Sequence, residues 1–444
     1  MTRYPSYRES GVEWLGEVPV GWGIVPVKAV ATCNDEVLTD DTDPEWEIEY
    51  LEISGVDAFA GITETSKIPF GGAASRARRR VKDGDILVST VRTYLRAIAQ
   101  VIAPPENMIA STGFAVLRPR SVGSRFLGYL FRSEILIGKI IARSVGVSYP
   151  AINASDIMSL PIPLPPLSEQ TAIAAFLDLE TTKIDGLVAE QRRLIDLLRE
   201  KRQAVISHAV TRGLNPHAKL KPSGIDWLGD VPEGWEVVPL KYHVSHVVDC
   251  IHTTPTYDGD LQYPAIRTAD LDRGILLLEQ ARLVSEEVYI ERIQRLKPKA
   301  GDVIYSREGE RLGMAALVPE GVDLCLGQRM MMFRPLSDTA PEYLMWVLNS
   351  EPIYQQVMEK NIGSTSPHAN IGDVINFVLP RPGIEEQRAI GKYLSGITAQ
   401  FDTLTATAFS AIALLQERRA ALISAAVTGK IDVRAATRSE LEPV

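Results

Sequence analysis

Residues 10–28, SGVEWLGEVPVGWGIVPVK, recur at 223–241 as SGIDWLGDVPEGWEVVPLK, with twelve of the nineteen positions identical. Unrelated segments of average composition would share about one. A second match pairs LLREKRQAVISHAVT (197–211) with LLQERRAALISAAVT (414–428), identical at ten of fifteen positions. The offset is 213 in the first match and 217 in the second, so only four residues accumulate between them. The 444-residue chain is therefore a tandem duplication of a short segment, a variable domain and a terminal helix, and its fold must accommodate two copies of one plan.

Weaker matches run through the variable part. GDIL (84–87) pairs with GDVI (301–304), and VLRP (116–119) with MFRP (332–335). SVGVSYPAIN (144–153) pairs with NIGSTSPHAN (361–370), and IPLPPLSEQTAIAAFL (162–177) with LPRPGIEEQRAIGKYL (379–394). A framework that repeats while its surroundings diverge is the pattern of two recognition modules. Short apolar runs punctuated by Gly, Pro and Asp predict strands at Ile86–Ser89, Ala97–Ile102 and Phe114–Leu117, then Val303–Ser306, Ala315–Val318 and Met330–Phe333. Helices are expected near 124–142 and 341–360, and Pro-rich stretches (161–166, 379–383) precede the long ones. Each domain is thus read as mixed, α+β or α/β.

The long helices carry the most regular pattern. Ile390, Leu394, Ile397, Phe401, Leu404, Ala408, Ala411, Leu415, Arg418 and Leu422 recur at alternating four and three, as do Ile173, Leu177, Ile184, Leu187, Leu194, Leu198 and Val205. Glu180, Gln191 and Lys201 interrupt the first series. A 3.5-residue period predicts a coiled-coil seam, with the polar interruptions setting register. Acidic residues at the start (Glu169; Glu385, Glu386) and basic ones near the end (Arg199, Lys201, Arg202; Arg418, Arg419) suit the helix dipole.

Forty-seven Lys and Arg against 56 Asp and Glu leave a net charge of −9, which excludes binding to nucleic acid by bulk charge alone. Local basic surfaces remain open to it, since charge acts within about 8–10 Å. Cys33, Cys250 and Cys325 have no metal-like spacing and point to reduced thiols in the cytoplasm. The first residues lack a signal-peptide core, and nowhere do about 18 apolar residues run together, so no membrane partner is expected. Catalytic motifs are missing too: no GxxxxGK[ST], no GxGxxG after a strand, no HExxH, and no Asn-Pro-Pro-aromatic segment to hold a flipped base. His243 and His246 stand three apart without companion ligands, which favours a core or solvated role over a metal. No catalytic or metal residues are assigned.

Binding chemistry is present. Arg76, Arg78, Arg79, Arg80 and Lys82 form one run, and Arg92, Tyr94 and Arg96 follow the Ile86–Ser89 strand. The second copy has Arg307 and Arg311 after its equivalent strand and Arg329 before Met330. Arginine suits phosphates and guanine edges. A charge run is ordinarily a solvated face, but clusters after corresponding strands in diverged copies weigh towards function, and Arg92 and Arg307 are expected on DNA-facing surfaces. Loops 144–153 and 361–370 supply Ser148, Tyr149, Asn153, Ser364, Ser366, His368 and Asn370 as candidate DNA contacts; ordinary connecting loops are the equal alternative. Trp14/Trp22 and Trp227/Trp235 are identical in both copies, so they are expected to dock the repeated segment rather than choose a target.

The paired GxxWLGxVPxGW openings, the PLPPLSEQTAIAAFLD helix start and the endings EKRQAVISHAVT and ERRAALISAAVTGKIDV resemble the specificity subunit of Type I restriction–modification enzymes over residues 10–433. The resemblance implies an internal pseudo-two-fold repeat with two target recognition domains (24–165 and 237–383), each reading half of a bipartite double-stranded DNA target. They would be separated by an antiparallel coiled coil of two helices (166–213 and 384–430) acting as a ruler, with repeated segments at 1–23 and 214–236 and a tail at 431–444. It further implies a non-catalytic recognition role. Two methyltransferase subunits and restriction/translocase subunits would bring S-adenosylmethionine, ATP and Mg, and this chain would bind no cofactor itself. The alternative is a structural coiled-coil protein without nucleic-acid specificity, which accounts for the helices but not for two diverged domains.

Overall fold

The computed structural model describes residues 2–359 and 368–434. The chain divides into two compact units, but they are not the linear copies. One joins Met1–Gln191 to Ser410–Val444, and the other is Arg192–Phe409. Each contains one variable domain, the start of its own long helix and the end of the other copy's.

In the first domain a four-stranded antiparallel sheet has the order Ile98–Gln100, Ile86–Ser89, Phe114–Pro119, Ala31–Cys33. A second sheet runs Ser66–Pro69, Glu47–Leu51, Met108–Ser111, Ala77–Arg80, with a parallel pair at its centre. The second domain repeats the first sheet as Val244–Asp249, Met330–Pro335, Val303–Ser306, Ala315–Leu317. Its other sheet is Arg282–Val284, Tyr263–Ile266, Cys325–Leu326.

The central strands are apolar throughout because they serve two cores. Side chains alternate across a strand, so Ile86 and Val88 join the core under the helices while Leu87 joins the core between the sheets. Val303, Tyr305 and Ile304 divide in the same way. The expected 124–142 helix is broken into Ser124–Phe131 and Glu134–Ala142, since Ser133 donates its hydroxyl to Leu130 O at 2.6 Å and caps the second segment. Ser350 makes the matching bond to Val347 O at 2.6 Å between Pro341–Leu348 and Glu351–Glu359.

The long helices run Leu167–Arg212 and Ile384–Val427. Within each unit their segments are antiparallel. In the first, Arg419 pairs with Asp185 at 2.9 Å while Ile423, Ala426 and Val427 share a core with Ile173 and Leu177. In the second, Arg202 reaches Asp402 at 3.5 Å while Ile206 and Val210 meet Ile390 and Leu394.

The heptad assignment needs correction. Leu187, Leu194 and Leu404 are 52%, 42% and 52% exposed, and Arg418 faces solvent while Arg419 is buried. Lys201 is exposed as well, and beside half-buried Glu180 it is Thr181 that is buried. The repeat that fits is eleven: Ile173, Ile184, Ile195 and Ile206 are all buried, and in the second helix Ile390, Phe401 and Ile423 are buried and Ile412 half-buried. A straight helix falls about 20° short of two turns per heptad, which amounts to one residue after five heptads, whereas eleven residues overshoot three turns by about 20°, a slower drift per residue and in the opposite sense.

His243, where the first domain has Val30, is fully buried, and neither ring nitrogen has a partner among the described residues. Burial, aided by the nearby Arg381 charge and opposed by Asp338, lowers its pKa to about 4. The folded protein thus favours the neutral ring. Its contribution is complete above about pH 6.5, the unfolded value, and falls away as pH drops towards about 4, by up to about 1.4 kcal/mol per pH unit. Urea midpoints at pH 7 and pH 4.5 should therefore differ less for His243→Val than for the natural chain; equal differences would show that other groups carry the acid sensitivity.

Candidate nucleic-acid interface

In the first domain two loops meet beyond the Ile86–Ser89 strand. Val91 bridges Ala151, Arg92 N donates to Pro150 O at 2.8 Å, and Ile152 N donates to Thr90 O at 2.9 Å. Thr93 and Ser144 hydroxyls close the base of the pair at 2.7 Å. This fastening projects a tip made of Val91, Tyr94, Leu95, Val145, Val147, Ser148 and Tyr149, all exposed. Arg92, in the left-handed region at φ 50°, lays its guanidinium over the Tyr149 ring at 4.7 Å. It has no carboxylate partner among the described residues. A cation held flat by an aromatic ring keeps its donor edge available for a phosphate or a guanine edge. Arg96 is committed elsewhere, to Glu134 at 2.6 Å, and Asn153 caps a short helix with its amide 3.3 Å from Asp156.

Three members of the basic run at 76–82 are ion-paired. Arg76 pairs with Glu52 at 2.8 Å and Arg78 with Asp40 at 2.8 Å, while Lys82 binds Glu36. Arg78 and Arg80 also cover Phe70 and Trp46 at 4.8 and 5.5 Å, and Arg79 is half-buried. The carboxylates lie 24 to 46 residues upstream, so a count of local charge could not register them.

The second domain builds the same pair of loops from different chemistry. Glu308 bridges His368, and Ala369 N donates to Arg307 O at 2.8 Å. Arg307 therefore stands where the first domain has Thr90, and Gly309 (φ 79°) takes the place of Arg92. The expectation that Arg307 faces DNA is corrected by its burial. Its Nε lies 3.2 Å from Asp249 and its Nη2 3.6 Å from Glu308. The strand Val244–Asp249 continues far enough to bring Asp249 there, and His252, 2.7 Å from Asp249, completes a cluster with no local signature in the chain. Arg329, exposed at φ 67°, reaches Glu308 at 3.2 Å. Arg311 donates to Leu271 O at 2.5 Å and lies 3.7 Å from Asp272. Asn370 is an N-cap, 3.3 Å from Asp373, and exposed His368 sits beside it; Ser364 and Ser366 fall outside the described residues.

The tryptophans are structural. Trp22 and Trp235 are 2% exposed and donate to Glu169 and Glu386 at 3.0 and 2.9 Å, tying each repeated segment to a helix start. Trp14 and Trp227 are half-buried. Burial pushes the Cys33 thiol up to about 11 and Cys325 up to about 12, so neither is a reactive thiolate at neutral pH. Among the described residues no three candidate ligands gather around a metal position, and no helix is long and apolar enough to cross a membrane.

Residues 19–187 and 232–411 each match the family model described as the Type I restriction modification DNA specificity domain. The chain is 25% identical over 315 residues to the MjaVIII specificity subunit of Methanocaldococcus jannaschii, spanning 69% of this chain and 70% of that one. It is 22% identical over 435 residues to the EcoKI specificity subunit of Escherichia coli K12, spanning 94% and 90%. Among solved structures, a chain from work on complex assembly and conformational transition of the type I R-M system aligns with a TM-score of 0.72 at 24% identity, covering 93% of this chain and 99% of that one. The HsdS subunit from Thermoanaerobacter tengcongensis aligns at 0.52 with 24% identity, covering 93% and 98%. Those likenesses show the fold, and with both copies matched over most of their length, the chain belongs to the Type I restriction modification DNA specificity domain family.

Proposed function

We propose that this chain is the specificity subunit of a Type I restriction–modification assembly and reads a two-part double-stranded DNA target, one part per domain, through the paired loops that follow each central strand. One observation carries the reading: the two domains share their frame down to individual hydrogen bonds, and they differ at the loop tips. The Gln170 side chain accepts from Gly123 N at 2.7 Å and donates to Pro165 O at 2.8 Å; Gln387 does the same with Ala340 and Pro382 at 2.9 and 2.8 Å. Matching frames with an arginine on tyrosine at one tip and glycine with carboxylates at the other suit two readers of different sequences. Phosphate contacts from surrounding Lys and Arg fix position, and the tips supply discrimination. In this role the chain does no chemistry. Methyltransferase and restriction subunits supply it and hold the methyl donor, nucleotide and metal. A structural coiled-coil role leaves the divergence of the tips without a reason.

Grafting residues 237–383 from a relative, with the rest of the chain and its partners kept, should change one half of the methylated motif mapped in host DNA and leave the other half intact. A graft that changed both halves, or neither, would sink the assignment of one half to each domain.

A further inference from the structure

Building on that reading, we infer that Glu310 is a specificity-determining residue of the second domain, and that it reads the amino group of a G·C base pair. The tip of the second domain is the turn Glu308–Gly309–Glu310–Arg311. Glu308 is neutralised by Arg329 at 3.2 Å and Arg307 at 3.6 Å. Arg311 is drawn back onto Leu271 O and Asp272. Glu310 is exposed and has neither a hydrogen-bond nor an ion-pair partner among the described residues. The turn thus presents one uncompensated carboxylate, on the same loop whose first-domain counterpart presents Arg92 over Tyr149.

A free carboxylate at a DNA-reading tip has few stable positions. Against the backbone it meets phosphate, and like charges a few ångströms apart repel. Against a base edge it needs a donor, because an ionised carboxylate only accepts. Thymine offers no major-groove donor. Adenine offers N6, but its N7 acceptor stands alongside and would face the second carboxylate oxygen. Cytosine N4 has only a C–H beside it on its own edge, and in the minor groove the only base donor is guanine N2. Both favourable positions belong to a G·C pair, and cytosine N4 in the wider major groove is the better fit for a side chain carried on a turn.

The test uses the whole chain assembled with its methyltransferase partner. The natural complex should require a G·C pair at one position of the half-site that changes when residues 237–383 are grafted. Glu310→Ala and Glu310→Gln should each lower discrimination at that position by about 5- to 150-fold, the range of one good base contact, with the other half-site unchanged. Circular dichroism of both variants should match the natural chain, since the side chain is exposed and makes no hydrogen bond or ion pair among the described residues. Full discrimination retained by both variants would overturn the inference, and so would a half-site with no required G·C pair. Affinity that rose alike for all sequences would also overturn it, by placing the carboxylate against phosphate. If the graft changes a half-site while the Glu310 variants do not, only this inference fails; a graft without effect removes the reading beneath it as well.

Discussion

Trp235→Ala should destabilise the unit formed by residues 192–409 by about 3–5 kcal/mol, the usual cost of emptying a buried tryptophan site. The ring is 2% exposed, and its Nε1 donates to Glu386 at 2.9 Å. It also lies against the end of the first long helix, where a Cβ added to Gly213, at φ +74°, would stand 3.2 Å from the ring and 3.0 Å from Glu386. Removal therefore opens a cavity between a helix start and a helix end and leaves a carboxylate without its donor. Trp235→Phe keeps much of the packing and loses the hydrogen bond, so it should cost nearer 1–2 kcal/mol. Urea unfolding followed by circular dichroism measures both; equal losses would show that the bond to Glu386, not the ring's bulk, dominates. Trp22 is held likewise by Glu169 and lies against Gly429, but Glu169 also accepts from Tyr4 at 3.1 Å, so Trp22→Ala should cost somewhat less.

Asp302→Ala should cost about 3–5 kcal/mol, because removing one member of a buried ion pair strands the other. The Asp302 carboxylate is 1% exposed and accepts from Arg334 Nε and Nη2 at 2.9 and 2.7 Å and from Lys299 N at 2.9 Å. Among the described residues Arg334 would retain only Lys297 O, at 2.9 Å. The first domain offers an internal comparison. Arg118 pairs with buried Asp85 at 2.8 Å, but it also reaches Glu36 at 2.8 Å. Asp85→Ala should consequently be the milder change, measured by the same denaturation. A first-domain loss equal to or larger than the second would show that Glu36 does not hold the guanidinium once Asp85 is gone.

These pairs mark where sequence reading succeeds. GDIL with GDVI and VLRP with MFRP were visible as repeats without a reason; Asp85 with Arg118 and Asp302 with Arg334 supply it, since each motif holds one end of a buried ion pair. The SEQ and EEQ helix starts likewise resolve into a carboxylate for a tryptophan and an amide brace for Gly123 or Ala340. Recurrence across an internal duplication identifies such partners because both members must repeat together. The two long helices do pair, but the period of their seam misleads, because apolar residues are common enough in a helix to satisfy a 3.5-residue template over short stretches. Only the isoleucines at 173, 184, 195 and 206 distinguish eleven from seven. Site residues were harder still. Arg92 and Arg307 both follow a strand, yet two residues of offset separate a stacked surface arginine from a buried one. The carboxylates that occupy Arg76, Arg78 and Lys82 arrive from distant strands and loops.

The division of the long helices also orders events during synthesis. The unit Arg192–Phe409 is one uninterrupted stretch and can close as soon as its last residue leaves the ribosome, whereas the other unit needs both ends of the chain. After Gln191 emerges, roughly 220 further residues must be made before Ser410 appears. At about 5–20 residues per second this is a delay of roughly 10–45 s. Throughout it, Ile173, Phe176 and Leu177 lack Ile423, Ala426 and Val427, the residues that complete their core. The half made first is therefore the half finished last, and a chain terminated between about residues 410 and 427 carries a complete second unit and a first one with an open apolar face.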